Sequence, residues 1–298
     1  MLGLRITAFS PLAALLIAVP AGIRDSAPVV GLNHLTLVPD SATFAAIAAS
    51  PFLRDTFALL AQPPGEGAAT EGVAILGRST YVEFRRPGAG GVVGSSGLAL
   101  GTDERGALRA VARRLTSEVG SVRLDSLMRR RDSTDVPWVY QLVAGDARLD
   151  SALAVRVVEY HPSFLRKWYG AAPAASTSVA RTRVLELHAT SADSVKRRYP
   201  FVDVVAIKVA APTETEPVLL AHCRAVGWRV QSTNSGTACV GSGVRLFVVP
   251  ANTRERGIVA FTMRIASTGK LRGATTRKFG RSTLRISRNG FATWEFVN

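Results

Sequence analysis

The sequence lacks the motifs that mark the commonest enzyme mechanisms. It contains no serine nucleophile elbow, no phosphate-binding P-loop, no GxGxxG turn and no HExxH helix, and these absences argue against most hydrolases, nucleotide-binding proteins and zinc peptidases. Metal-binding side chains are also few, with four histidines and two cysteines in 298 residues. A catalytic or metal site must therefore be assembled from scattered positions.

Lysine is scarce as well. Only five of the 37 Lys and Arg residues are lysine, against 22 Asp and Glu, which gives a formal net charge of +15. Such a charge can attract nucleic acid or an anionic membrane, but an arginine excess also arises from coding composition alone. The run Arg129–Arg131 is predicted to be a solvated loop, and the other arginines are scattered. We therefore expect a small-molecule ligand and no nucleic-acid partner.

Long apolar runs are absent beyond the N-terminus. Residues 1–21 combine one charge, an apolar run from Ile6 to Val19 and a small residue, Ala21, before a cleavage site, which predicts a secretory signal peptide. The run is too short for a comfortable bilayer span of about 20 residues. We expect a periplasmic or secreted protein with no stable membrane span after cleavage, and a retained anchor is the alternative.

The two cysteines, Cys223 and Cys239, lie in the part that would be exported. Cys223 ends a predicted helix and Cys239 opens a predicted strand, so a disulfide between them is one prediction. The alternative is a pair of buried thiols that behave as small apolar residues. Neither metal-ligand spacing nor a Cys-x-x-Cys pattern is present.

The order of predicted elements indicates two α+β domains. Residues 31–165 are predicted as strand, helix and two strands, followed by the same order again, which is a βαβββ-type module with one strand missing from each copy. The paired modules should form a curved mixed sheet. Residues 166–180 have the composition of a linker, and residues 181–298 are predicted to form a second β-rich α+β domain, for which a degenerate copy of the first is an open alternative. This second domain should begin with a strand at residues 182–189 and end in a hairpin that turns at Asn289–Gly290.

The residues that point to chemistry are His34 and Glu83. His34 lies in the first predicted strand, GLNHLTLVPD, and Glu83 lies in TYVEF, a later strand of the same module. An imidazole and a carboxylate on two strands of one sheet can share a divalent cation such as Zn, Mn, Fe or Ni. The alternative is a hydrogen-bonded strand histidine and a glutamate that pairs with one of the arginines.

At these residues the chain resembles the vicinal oxygen chelate superfamily, which includes glyoxalases, extradiol dioxygenases and bleomycin-resistance proteins, and in particular its glyoxalase-like proteins of unknown function. GLNHLTLVPD is similar to the opening strand with its ligand histidine, and TYVEF to the strand with the ligand glutamate. GLALGTDERGALRAVARRL is similar to the start of the second module. The resemblance covers residues 31–165 and implies that VRVVEYHP closes the second module, with Glu159 at the second carboxylate position.

The resemblance implies a divalent metal, Zn, Fe or Mn, bound by His34, Glu83 and Glu159. The strand that opens the second module offers only Gly97–Leu100 where the enzymes have a further ligand, and His161 is the alternative source of that imidazole. One implied function is a metal-dependent lyase, isomerase or dioxygenase for a vicinal-dioxygen substrate, with Glu159 as the general base. Because that strand carries no ligand, we favour an exported small-molecule binding protein that has kept the cleft without the metal. Whether the chain is an enzyme and whether it forms a homodimer stay open.

Overall fold

The computed structural model of the protein describes residues 29–61, 72–88, 91–131, 134–144, 152–170, 180–191, 199–267, 271 and 273–297. The predicted signal peptide, residues 1–21, and most of the predicted linker, residues 166–180, lie outside this part of the chain. The described residues form two mixed β-sheets of eight strands each, together with a small number of helices.

The first sheet is built from two βαβββ modules. Its strands are β1 Val30–Leu37, β2 Leu59–Ala61, β3 Gly72–Leu76, β4 Tyr81–Arg85, β5 Ser96–Thr102, β6 Val122–Arg131, β7 Thr134–Ala144 and β8 Leu153–Tyr160. They are ordered β2-β3-β4-β1-β5-β8-β7-β6. Within each module the first strand pairs in parallel with the last, β1 with β4 and β5 with β8, and the modules meet where β1 and β5 run antiparallel. The predicted fold class is confirmed, and β2 and β6 are the strands that the sequence pattern missed.

Helices cross over within each module of the first sheet. Helix α1 Ser41–Ala48 and a short π-helical turn, Leu53–Phe57, follow β1, and helix α2 Ala107–Val119 follows β5. Helix α2 is amphipathic because Leu108 and Leu115, which lie two turns apart, are both buried against the sheet. Helices α3 Pro162–Tyr169 and α4 Arg181–Ser191 come after β8.

The second sheet repeats the strand order of the first. Its strands are β9 Phe201–Ala211, β10 Arg229–Thr233, β11 Gly236–Val240, β12 Arg245–Pro250, β13 Gly257–Ile265, β14 Thr275–Phe279, β15 Ser282–Ile286 and β16 Phe291–Glu295. Their order is β10-β11-β12-β9-β13-β16-β15-β14. Helix α5 Glu216–Ala225 connects β9 to β10, whereas no helix is described between β13 and β14. The hairpin predicted at Asn289–Gly290 is confirmed, because β15 pairs with β16 on either side of this turn.

Two local predictions are wrong. Residues 182–189, predicted as a strand, lie in helix α4, and the run Arg129–Arg131, predicted as a loop, lies in strand β6. The first stretch is short, and its apolar residues fit either period, so tertiary packing decides its structure. The second stretch is held in the sheet by pairing with β7, from Arg129 opposite Val136 to Arg131 opposite Thr134.

The two faces of the first sheet have different neighbours. One face, here called the inner face, packs on α1, α2 and the second sheet in a single apolar core. The other, here called the outer face, carries His34, Tyr81 and Tyr160 and packs on α3 and α4 in two smaller clusters. No helix in the described part of the chain is long and apolar enough to cross a membrane.

Candidate functional site

The central strands of the first sheet place four residues in one row. His34 of β1 lies opposite Tyr81 of β4 and Ala99 of β5, and Ala99 lies opposite Arg156 of β8. Because side chains alternate between the faces of a strand, Glu83 of β4 belongs to the next row of the same face. The outer face therefore brings together an imidazole, a phenol, a guanidinium and a carboxylate.

Two β-bulges lie beside this row. The β1–β5 register shifts between Leu32 and His34, so Asn33 has no partner residue on β5. The β6–β7 register shifts at Trp138, whose ring centroid lies 6.1 Å from that of His34. Bulges redirect side chains and are common next to functional sites. Here they allow Asn33 and Trp138 to join the outer face.

His34 is held as a neutral imidazole. Its Nδ1 lies 2.8 Å from Asn33 Oδ1, and the amide of Asn33 is hydrogen-bonded to Tyr160. Because an amide oxygen only accepts hydrogen bonds, Nδ1 of His34 carries the proton and Nε2 keeps its lone pair. Burial and the positive field of nearby arginines, Arg156 first, hold the pKa of His34 well below its usual range. The ring is stacked on Tyr81 with centroids 4.6 Å apart.

Glu83 is paired with an arginine. Its side chain is buried, Arg85 Nε donates to Oε1, and the Thr36 hydroxyl lies 3.5 Å from Oε2. Both carboxylate oxygens are therefore engaged by the protein itself. His34 and Glu83 thus have the hydrogen-bonded and arginine-paired environments that the sequence left open as the alternative to metal binding.

Glu159 lies on the inner face. It alternates with Val158 and Tyr160, which belong to one of the two apolar clusters of the outer face. Its carboxylate accepts hydrogen bonds from the backbone N–H groups of Gly106 at 2.8 Å and Leu108 at 3.3 Å. These donors belong to the start of helix α2, where a negative charge is favourable. The structure therefore places Glu159 at a helix N-terminus and not beside His34 and Glu83.

His161 lies just beyond the end of β8. It is the N-cap of helix α3, where its Nδ1 accepts from the N–H of Ser163 at 3.0 Å, and its ring lies 4.5 Å from that of Tyr140. Burial and the charge of Arg105 lower the pKa of His161. Within the described residues, no three His, Cys, Asp or Glu side chains are grouped as a metal site. The proposed set His34, Glu83, Glu159 and His161 is therefore not brought together.

Arg156 is the charged residue that β8 does place on the outer face. It is half-buried, its Nε is buried, and burial lowers its pKa while Glu83 opposes that shift. A Cβ built on Gly97 would lie 3.7 Å from Nη2 of Arg156, so the guanidinium lies over the strand that lacks a metal ligand. A guanidinium remains protonated at physiological pH. The residues present do not fit a divalent cation, because a positive group lies beside Glu83.

Three buried hydrogen-bond donors of the outer face have no partner among the described residues. Tyr81 Oη, Trp138 Nε1 and Arg156 Nε make no hydrogen bond to the described residues. Burial raises the pKa of Tyr81 well above its usual range, so its hydroxyl keeps its proton. The guanidinium of Arg129 lies 4.3 Å from the ring centroid of Trp138, within the range of a cation–π contact. His34, Tyr81, Trp138 and Arg156 are together called the outer-face cluster below.

Helix α4 covers one end of the outer-face cluster. Val184 and Leu185 pack into the two apolar clusters that contain Trp138 and Tyr81. The helix is anchored at Arg181, whose Nε and Nη2 donate to the Asp103 carboxylate at 2.8 and 3.0 Å. Its Nη1 donates to the carbonyl of Leu32 in β1. The arginine end of the site is the more accessible one, because Arg85, Arg129 and Arg156 are only half-buried.

The two cysteines lie outside this cluster, in the part of the chain that forms helix α5 and the second sheet. Both are fully buried free thiols, Cys223 on helix α5 and Cys239 on strand β11. They are hydrogen-bonded to one another, and this bond raises the pKa of Cys223 well above its usual range and lowers that of Cys239. The two side chains are adjacent, and the disulfide stays a prediction.

Arg156 and Trp138 were not predicted as site residues from the sequence. The signal for Arg156 was present in AVRVVEY, because residues 156, 158 and 160 share one face and an arginine in an apolar strand needs a reason for its burial. Trp138 could not have been placed from its spacing, because the bulge at this position changes the alternation of β7.

Comparisons with known proteins identify a family. A family profile described as "Family of unknown function (DUF5829)" matches residues 32–296. A search of curated proteins gives no match. A hypothetical protein from Staphylococcus aureus is 11% identical, with a TM-score of 0.48, over 84% of this chain and 95% of that one. The Mn(II)-bound glyoxalase from Novosphingobium aromaticivorans is 14% identical, with a TM-score of 0.47, over 91% and 82%.

A xylose isomerase-like TIM barrel/4-hydroxyphenylpyruvate dioxygenase fusion protein is 12% identical, with a TM-score of 0.42, over 80% of this chain and 37% of that one. The strand order of the first sheet is that of the paired βαβββ modules predicted from the sequence, and the second sheet repeats this order without a described helix between β13 and β14.

Proposed function

The chain belongs to the family of unknown function DUF5829, and we propose that it is a small-molecule binding protein whose ligand lies against the outer face of the first sheet. One observation carries the proposal. Tyr81, Trp138 and Arg156 direct three buried donors without a described protein partner into the surroundings of His34. An unsatisfied buried donor costs about 1–3 kcal/mol, and acceptor atoms of a ligand would remove that cost.

The same residues favour binding over metal-dependent catalysis. Glu83 is engaged by Arg85, and Glu159 is committed to the N-terminus of helix α2. His34 is neutral and stacked on Tyr81, which suits a positioned hydrogen-bonding group in a binding site. No specific observation favours the metal-dependent lyase, isomerase or dioxygenase.

Metal content and ligand binding test this proposal together. The protein, purified without chelator, and its His34→Ala variant are compared by elemental analysis, and a library of small molecules is screened by the fluorescence of Trp138 with Trp138→Phe as the background control. We expect metal far below one equivalent in both proteins and ligands whose signal disappears in Trp138→Phe. Near-stoichiometric Zn, Fe or Mn that is lost in His34→Ala would overturn the proposal and establish the metal site.

We further propose that the protein is exported and that residues 1–21 are removed as a signal peptide. The composition of this segment supports export. The test is N-terminal sequencing of the protein recovered from periplasmic and culture fractions, with a start near Gly22 as the expected result. Recovery of the uncleaved chain in the membrane fraction would contradict it.

A further inference from the structure

We propose that the group recognised on the outer face is the carboxylate of a small organic acid, bound by Arg156 together with Trp138 and Tyr81. This inference rests on the proposed function, because it names the chemical class of the ligand for the same site. It depends on three properties of the outer-face cluster, which are its charge, the polarity of its unpartnered atoms and its apolar surroundings.

The charge around His34 is positive. Arg156, Arg129 and Arg85 each act on His34 through their charge, so all three guanidinium groups lie near the imidazole. Against them the described residues bring Glu83, which is already bonded to Arg85. A ligand that enters this region meets the guanidinium of Arg156, which has no ion-pair partner among the described residues, and an anion is favoured over a neutral or cationic group.

Within the outer-face cluster, the buried side-chain atoms that lack a described hydrogen-bond partner are all donors. Tyr81 Oη, Trp138 Nε1 and Arg156 Nε each carry a hydrogen to donate. A carboxylate offers two oxygens with about four acceptor positions, and its planar shape matches the donor fork of a guanidinium. Hydrogen bonds from charged donors to carboxylates are stronger than neutral ones. One carboxylate therefore supplies acceptors of the kind that all three donors require.

The apolar surroundings favour an organic acid over an inorganic anion. The donors are flanked by Val158, Val184 and Leu185, which belong to the clusters containing Trp138 and Tyr81. Phosphate sites in proteins are typically built from backbone N–H groups at a helix N-terminus. The N-terminus of helix α2 lies on the inner face and is occupied by Glu159, so it does not serve this site.

The two ends of the outer-face cluster differ in burial. Tyr81 and Trp138 are almost fully buried, whereas Arg156 and Arg129 are half-buried. The carboxylate would therefore bind where the guanidinium of Arg156 faces the accessible end. The organic part of the ligand would then contact the aromatic and aliphatic side chains beneath helix α4.

A matched pair of probes tests the class of ligand. Binding of benzoate, its neutral isostere benzamide, acetate and inorganic phosphate to the wild-type protein is measured by calorimetry and by Trp138 fluorescence at fixed ionic strength. We expect benzoate to bind at least tenfold more tightly than benzamide and phosphate. The preference should weaken as salt is raised, because part of it is electrostatic.

Three variants assign the preference to named residues. Arg156→Met removes the guanidinium at similar length and should abolish the discrimination between benzoate and benzamide. Arg156→Lys keeps the positive charge but lacks Nε, so it should retain part of the discrimination between benzoate and benzamide. This variant gives a result even where Arg156→Met folds poorly. Tyr81→Phe should weaken benzoate binding several-fold with little effect on benzamide. Arg130→Gln is the control, because Arg130 is exposed on β6 and its loss should change nothing.

The outcomes separate this inference from the proposed function. Benzamide binding as tightly as benzoate, with both signals lost in Trp138→Phe, would overturn the carboxylate and leave the binding site standing. Phosphate binding in preference to benzoate would also overturn it, in favour of an inorganic anion. If no probe binds the wild-type protein and the library screen of Trp138 fluorescence also gives no ligand, both proposals fail.

Discussion

At the residue scale, the chemistry of the outer face depends on the charge that Arg156 brings into it. A carboxylate at position 156 would form a set of metal ligands with His34 and Glu83, whereas the guanidinium of Arg156 attracts anions and repels a metal ion. The neighbouring strand accommodates the change, because Gly97 leaves the space over which the guanidinium lies. The guanidinium therefore disfavours a divalent cation beside Glu83.

The hydroxyl of Tyr81 gives a prediction at the same scale. In the ligand-free protein this buried group has no described partner, so Tyr81→Phe should raise the free energy of unfolding by about 1 kcal/mol. The measurement is urea denaturation. The matched control is Tyr160→Phe, which loses a hydrogen bond with Asn33 and should lower the free energy of unfolding by about 1 kcal/mol. Equal destabilisation by both changes would show that the Tyr81 hydroxyl is satisfied.

At the element scale, the strands were easier to predict than the directions of their side chains. GLNHLTLVPD and the strand that ends at Tyr160 form β1 and β8 as the alternation of the sequence indicated. The face on which Glu159 lies could not be read from spacing alone, because either face of β8 is largely apolar. Its direction is fixed by helix α2, whose first N–H groups lie over that carboxylate. Helix α4 was missed because its packing on the outer face involves residues distant in sequence.

The capping of helix α2 by Glu159 predicts a graded effect on stability. Glu159→Gln keeps an acceptor oxygen and loses the charge, so it should lower the free energy of unfolding by about 1 kcal/mol, and Glu159→Ala should lower it by about 2 kcal/mol. Chemical denaturation gives both values. Neither change should alter binding at Arg156, since the carboxylate lies on the opposite face. Loss of a bound metal in Glu159→Gln would instead restore the metal-ligand role.

The anchor of helix α4 predicts a second effect at this scale. Arg181→Gln removes the paired hydrogen bonds to Asp103 and should lower the free energy of unfolding by about 2 kcal/mol. Hydrogen exchange in the helix should become faster. Arg183→Gln on the same helix is the control, because its contact with Glu186 is exposed and should contribute less than about 0.5 kcal/mol. Similar losses in both variants would argue against the anchor.

At the scale of the whole molecule, two sheets with one strand order share a core. The Asp203 carboxylate of the second sheet accepts from the N–H groups of Ser79 and Thr80 at 2.7 and 2.9 Å. Trp228 Nε1 donates to the carbonyl of Val30 at 2.9 Å. These contacts join residues more than a hundred positions apart, so no sequence pattern could indicate them. The strand order of the first sheet recurs in the second, and a degenerate copy of the first domain stays a prediction.

The cysteine pair predicts a redox effect on this whole molecule. Cys223 and Cys239 are in hydrogen-bond contact, so oxidation should form a disulfide and raise the free energy of unfolding by about 3 kcal/mol for a loop of about 15 residues. Thiol titration measures disulfide formation, and denaturation with and without reductant measures the change in the free energy of unfolding. The control is the double variant Cys223→Ala and Cys239→Ala, whose stability should not respond to reductant. Two titratable thiols in denatured, air-oxidised wild-type protein would contradict the prediction.

Two buried histidines, His34 in the first sheet and His222 on helix α5, together predict how stability depends on pH. Burial lowers the pKa of both, whereas an unfolded histidine titrates near 6.5. Below that pH these histidines bind protons in the unfolded chain but not in the folded chain, so the free energy of unfolding decreases as the pH falls. Each histidine contributes a slope of up to about 1.4 kcal/mol per pH unit. Denaturation at pH 7.5 and 5.5 should show this loss. His34→Gln and His222→Gln should each reduce it, and His34→Gln should reduce it more because the pKa of His34 is the more strongly lowered, whereas Arg130→Gln should leave it unchanged. A loss that persists in the double variant would assign the pH dependence to other groups.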